Sequence, residues 1–339
     1  MEPSIQRLLL SDREIDLRGG SDLAARAHIL LRQQKETWPL LRTGYAGLAG
    51  VRTRTLDMDG FTIRVQWNPA RIVSSSAKVD DESIRRRKCF LCAANLPAEQ
   101  RGILFASSYV VLGNPFPIFE EHFTIPHTTH TLQRIGPSFG AMLDLAHAMQ
   151  KRYLLAYNGP RSGASAPDHL HFQAGEKGFL PIEKEISGPV SEGEVLVDTR
   201  TMQVLAVDAG LRRYIVLRSA ERESLVGALR VVESALAGAT GEKEEPMMNI
   251  LASFDRGAWT VLIFPRARHR PSVYFAQGEE RILISPAAVD CGGVLTTPLE
   301  KDFHRLTADV VREIFGEIFL SVGTFQTACA NLARNLTPR

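Results

Sequence analysis

The sequence predicts an α+β protein: an antiparallel sheet with flanking helices, arranged as two lobes from a degenerate duplication. Three observations carry that expectation. Short segments alternate apolar and polar residues, as strands half-buried in antiparallel sheets do; FTIRVQW at 61–67 is the clearest. Other segments carry apolar residues at helical spacing, as in RESLVGALRVVESALA at 222–237. The strand–helix rhythm of the first half then recurs in the second, with too little identity between the halves to establish a repeat by sequence. A shared strand order in the two halves is the test of that duplication.

Taken in order, residues 22–42 place Leu23, Ala27, Leu30, Leu31 and Trp38 near helical spacing behind Asp22 as a cap. This is a docking helix with no visible chemistry, and residues 1–60 read as an N-terminal helical extension. A catalytic lobe is expected over 61–190. Its first strand, 61–67, runs into NPARIVSSSAKVD, where Arg71, Ser74, Ser75, Ser76 and Lys78 gather two cations and three hydroxyls. Such a segment suits an oligophosphate or a solvated loop, since Arg offers a planar fork and Lys a point charge. Cys89 and Cys92 form a C-x-x-C unit, which is half a zinc site or a redox pair.

Strands are expected at Tyr109–Leu112 and His122–Ile125, broken by Asn114-Pro115. HTTHTLQRI supplies His127 and His130, and a helix capped by Ser138 spans 138–154. His147 on that helix and His28 on the earlier one read as packing or surface residues. The chain then reaches YNGPRSGASAPDHLHFQ. Its small-residue run, Gly159 to Asp168 with Gly163 and Ser165 inside it, reads as a loop whose backbone N–H groups cradle phosphate. His169, His171 and Gln173 follow at alternate positions, on one face of a strand.

A second lobe is expected over 191–339, after a polar boundary at 183–194. Strands are read at 194–198, 202–207, 214–217, 248–254, 259–264 and 282–285, and helices at 222–237 and 302–320.

At 339 residues, 44% hydrophobic and 23% charged, the composition is that of a soluble globular protein. A net charge of +2 gives no bulk attraction to nucleic acid or to an anionic membrane. The first twenty residues lack a secretory h-region, and four cysteines are too few for a disulfide scaffold. A reducing cytoplasm is the default.

These residues resemble the histidine-triad superfamily. Asn158 lies thirteen residues before His171 and Ser165 six before it, and the terminal histidine of H-x-H-x-H is here Gln173. H-x-H-x-Q resembles the branch containing galactose-1-phosphate uridylyltransferase, diadenosine tetraphosphate phosphorylase and the GDP-hexose phosphorylases; HLHFQA is most similar to the last of these. The likeness spans roughly residues 61 to 175. It implies His171 as the nucleophile that becomes nucleotidylated, with Gln173 and Ser165 donating to the phosphoryl oxygens. Asn114 would face ribose or base, and Arg71, Ser75, Lys78, Asn158 and Gly163 would hold the remainder of the substrate. A zinc site like the uridylyltransferase's would use Cys89, Cys92, His130 and His169, with His127 as a rival for His130. Four protein ligands leave no open position, so that Zn2+ is structural.

The implied partners are a nucleotide sugar or dinucleoside polyphosphate and an acceptor, either phosphate or a sugar phosphate; a homodimer is compatible. Ala166 and Asp168 depart from the uridylyltransferase's S-N-P, so neither uridine nor galactose is assigned. A nucleotide-conjugate hydrolase and a non-catalytic zinc-stabilised nucleotide-binding protein are the alternatives.

Overall fold

The computed structural model describes residues 2–11, 22–58, 60–186, 193–209 and 211–336. In chain order the strands are β1 (Arg52–Asp57), β2 (Thr62–Trp67), β3 (Gly102–Phe105), β4 (Tyr109–Gly113), β5 (His122–Pro126), β6 (Tyr153–Asn158) and β7 (His171–Glu176). The second half supplies β8 (Gly193–Asp198), β9 (Gln203–Ala209), β10 (Arg212–Ser219), β11 (Met248–Asp255), β12 (Ala258–Pro265) and β13 (Val294–Thr297). Ten of them form one sheet in the order β3-β4-β5-β7-β6-β11-β12-β10-β9-β8. Every pairing in it is antiparallel, including the β6–β11 seam, where Asn158 lies opposite Asn249. β1, β2 and β13 make a second, three-stranded sheet.

Alternation along the strands gives the large sheet two apolar faces. On one face Phe172, Ile250 and Ile263 pack against the helices Leu23–Thr37, Phe139–Ala148, Arg222–Thr240 and Val322–Leu336. On the other, Val216, Leu251 and Phe264 meet Ile63, Val65 and Leu295 of the small sheet and Phe315 of the helix Ala308–Ile318. Both halves follow one path: three antiparallel strands, a helix, then a hairpin inserted so that its second strand joins the third. The shared strand order expected of a duplication is present.

The structure corrects several elements. The first helix stops at Thr37, because Pro39 restarts a separate helix, Pro39–Ala46. The N-terminal stretch also ends in strand β1. The helix expected over 138–154 stops at Ala148 and gives way to β6, whose six residues are all buried and carry no alternation. Ser138 makes no side-chain cap bond. Residues 282–285 are not a strand: the Leu283 N–H goes to the Asp302 carboxylate. The final helix is divided at Thr307, whose side chain caps the helix Ala308–Ile318 through the Val310 N–H. The boundary expected at 190/191 lies outside the described residues.

Candidate active site

Strand register assembles the site. β7 lies between β5 and β6, with Gln173 opposite Thr124 on one side and Ala156 on the other. These short neighbours leave open the space above the Gln173 face. Gln133 ties the point where β6 and β7 separate: its amide donates to the carbonyls of Asn158 and His171 at 2.8 and 3.1 Å and accepts the His171 N–H at 2.8 Å. Three bonds from one buried side chain fix where the histidine begins its strand.

His171 opens onto a cavity of about 640 Å³ lined also by Arg71, Ser74, Lys78, Asn114, Ser165 and Gln173. The imidazole Nδ1 lies 2.8 Å from the His169 carbonyl, an acceptor only, so the proton sits on Nδ1 and Nε2 keeps its lone pair. Burial lowers the His171 pKa to about 4, which keeps the ring neutral at pH 7. The lining also includes the apolar side chains Trp38, Leu40, Phe90, Leu96 and Phe116. This mixed lining of cations, hydroxyls and apolar rings suits a ligand that has both an apolar and an anionic part.

A smaller polar compartment of about 60 Å³ adjoins it, shared through Arg71, Ser74, Ser165 and Gln173 and lined further by Ser75, Asn158 and Gly163. Arg71 donates to the Phe116 carbonyl at 2.8 Å, and burial lowers its pKa to about 10, which leaves it cationic. The Gly163, Ala164 and Ser165 N–H groups have no acceptor among the described residues. Gly163 has φ +95°, and a Cβ there would lie 2.8 Å from that of Ala287. Asn158 Oδ1 accepts from Asn249 Nδ2 at 2.9 Å and from the Ala288 N–H at 2.8 Å, which turns its NH2 group towards this compartment. Asn114 spends its oxygen on the Phe116 N–H at 2.9 Å and one amide hydrogen on Thr124 at 3.1 Å, so it shapes the cavity wall as well as lining it.

The ligating atoms of Cys89, Cys92, His130 and His169 lie within 4.8 Å of one another. Cys89 Sγ is 3.3 Å from His169 Nδ1, and Cys92 Sγ is 3.2 Å from His130 Nδ1. Tetrahedral bonds of about 2.0–2.3 Å put neighbouring ligands about 3.3–3.8 Å apart, so the four residues fit a metal ion of that kind. The His169 Nε2–H donates to the His127 carbonyl at 2.9 Å, which commits Nδ1 to the cluster. His127 enters through that carbonyl, while its own Nδ1 bonds Thr129 Oγ1 at 2.9 Å. It is therefore His130, and not His127, that lies in the cluster.

The residues expected to act on the substrate or to hold the metal lie around the cavity, the compartment or the cluster, whereas Ser76 turns its hydroxyl to the Ile72 carbonyl. Sequence reasoning missed Trp38 and Leu40, which bring the N-terminal helices to the cavity, as well as Arg87, His122, Gln133 and Asn249. Arg87 lines the cavity and donates to Asp168 at 2.6 Å. The run RRRK gave a signal for a cation at 85–88, but nothing in it distinguished Arg87.

Two family models match the chain, one in each half. A domain of unknown function, DUF4922, covers residues 30–176, and the GDPGP1-like C-terminal domain covers residues 198–337. Among solved structures, yeast Ap4A phosphorylase Apa2 in complex with AMP aligns at 16% identity over 87% of this chain and 98% of its own, with a TM-score of 0.56. Another structure of yeast Apa2 aligns at 16% identity over 83% and 96%, with a TM-score of 0.54. No curated protein matches by sequence. The second half thus matches the GDPGP1-like C-terminal domain, and the chain as a whole shares its fold with an Ap4A phosphorylase.

Proposed function

We propose that this protein is a nucleotidyltransferase of the phosphorylase type, acting on a nucleotide sugar or dinucleoside polyphosphate through a nucleotidylated His171. The observation that carries the reading is the His171 ring: neutral, pinned at Nδ1 to the His169 carbonyl, and facing with its Nε2 a cavity lined by Arg71, Lys78 and Arg87. The Nε2 lone pair forms a bond to the α-phosphorus as the bond from phosphorus to the bridging oxygen breaks, and the leaving sugar phosphate or nucleoside polyphosphate departs with that electron pair. The acceptor, phosphate or a sugar phosphate, then attacks the same phosphorus. The N–P bond breaks and returns its electrons to Nε2, while the Nδ1 proton stays in place throughout.

Gln173, Ser165 and the loop N–H groups donate to the non-bridging oxygens as charge builds on them, each contributing a few kcal/mol, roughly, as donors do in comparable sites. Arg71, Ser75 and Lys78 hold the remaining phosphates. The apolar side chains of the cavity take the nucleoside beside Asn114. Residues 61–190 would then be the catalytic lobe and 191–339 its degenerate partner. We infer that Cys89, Cys92, His130 and His169 hold a structural Zn2+ that ties the Cys89 loop to the strand of His171. Matching solved structures are of an Ap4A phosphorylase, one of them with AMP bound, which supports the same class.

The test is to incubate the protein with radiolabelled nucleotide sugars and dinucleoside polyphosphates and to quench. An acid-labile, base-stable protein adduct is expected, discharged by added phosphate and absent in His171→Ala. A wild type that forms no adduct with any of them, or a His171→Ala that labels equally, overturns the reading. Discharge by water as fast as by phosphate favours the hydrolase.

A further inference from the structure

Gln173 stands in both compartments, yet the residue that turns its amide lies on the neighbouring strand. His122 on β5 is fully buried on the same face of the sheet. Its Nδ1 is 3.2 Å from the Ile118 backbone nitrogen. A backbone N–H only donates, so Nδ1 accepts, and in the neutral ring the proton sits on Nε2. Nε2 lies 2.9 Å from Gln173 Oε1 and donates to it. The Gln173 NH2 group, with no partner among the described residues, is left facing the cavity. The reverse orientation would set NH2 against N–H and leave a buried donor unpaired.

His122 is itself held. The Tyr45 hydroxyl donates to its carbonyl and accepts from its N–H, each at 3.0 Å, and the Phe119 ring meets the imidazole edge-on with centroids 5.1 Å apart. Burial, and then the charge of Arg71, lower the His122 pKa to about 3, so the ring keeps one proton at neutral pH.

We propose that His122 is a positioning residue for transfer at His171: it sets the Gln173 amide with its hydrogens, not its oxygen, towards the phosphoryl oxygens. Those oxygens only accept, so an amide turned oxygen-first would repel them. The proposal rests on the nucleotidyl-transfer reading and names the group that decides which end of Gln173 the substrate meets.

Two substitutions separate this role from a packing role. In His122→Asn, Oδ1 can still accept the Ile118 N–H, but the side chain is too short to reach Gln173. In His122→Gln, Nε2 can replace the ring donor. His122→Asn should lower kcat about 30-fold with KM changed less than about threefold, as for a contact made only in the transition state. His122→Gln should stay within about threefold of wild type. In a Gln173→Ala background, His122→Asn should slow the reaction no further.

The proposal is overturned if His122→Asn slows Gln173→Ala by the same factor as it slows wild type. It is equally overturned if His122→Gln melts like wild type yet is about 30-fold slower, a criterion that holds even if His122→Asn does not fold. A wild-type chain that transfers no nucleotidyl group removes the underlying reading instead.

Discussion

From the β6–β11 seam outward, the first half runs β6-β7-β5-β4-β3 and the second β11-β12-β10-β9-β8, yet the cavity beside His171 is lined by residues of the first half. The difference begins in one hairpin. Residues 159–170 separate β6 from β7, and this long connection holds Gly163, Ser165 and His169. β11 and β12 are joined by Arg256 and Gly257, with φ +49° and +82°, the two positive values a tight hairpin turn requires. On the face where β7 presents His171 and Gln173, β12 presents Leu262 and Phe264, both in the core. The helix Pro181–Ile186 lies over that face near Thr260 and Leu262, leaving about 20 Å³. A shared strand order thus supplies the scaffold, while the proposed chemistry rests on a hairpin connection and two side chains.

The second half still reaches the site. Buried Arg266, just after β12, donates to Asn249 Oδ1, and Asn249 in turn orients Asn158 across the seam. The contrast between the halves can be broken most sharply at His171. His171→Ala should reduce transfer by about a thousandfold or more, with a melting temperature within about 3 °C of wild type, measured by turnover and thermal unfolding. Next, Cys89→Ser should lose bound metal and about 3 kcal/mol or more of stability, whereas Cys291→Ser in the second half should leave the metal content unchanged; elemental analysis and denaturant titration decide.

Asn249→Ala should cost about tenfold in kcat by releasing the Asn158 amide. Unchanged kinetics would make the second half a mere support. The smallest effect is at Glu245, which bridges the halves by accepting from the Tyr157 hydroxyl and the Ile135 N–H, each at 2.6 Å. Burial lifts its pKa from 4.5 to about 7. A carboxyl with a raised native pKa binds its proton more tightly folded than unfolded, so its contribution to stability falls as pH rises from 4.5 through 7. Glu245→Gln should therefore gain on wild type between pH 5 and pH 8, by about 1 kcal/mol after allowing for solvent screening. Parallel stability–pH curves for the two proteins would refute the assignment.

Much of this was legible in the sequence because alternation and spacing are local. β2 and β7 show themselves by period, and the cysteine pair and the two histidines of the cluster by residue type. β6 was hidden because all six of its residues are buried, so nothing alternates and the run extends the preceding helix pattern. β13 depends on parallel pairing with β2, more than two hundred residues away. His122 and Gln133 were missed because each looks like the polar member of an ordinary strand or loop. What distinguishes them is which backbone and side-chain atoms they meet, and only the tertiary register determines that.

The continuous ladder across β6 and β11 also bears on how the molecule turns over. Halves that share strand-to-strand hydrogen bonds have no hinge between them, so substrate cannot be admitted by swinging one against the other. In the proposed reaction, entry and exit fall to the rim, where the short helical turns of residues 69–75 and the Phe90 loop meet solvent.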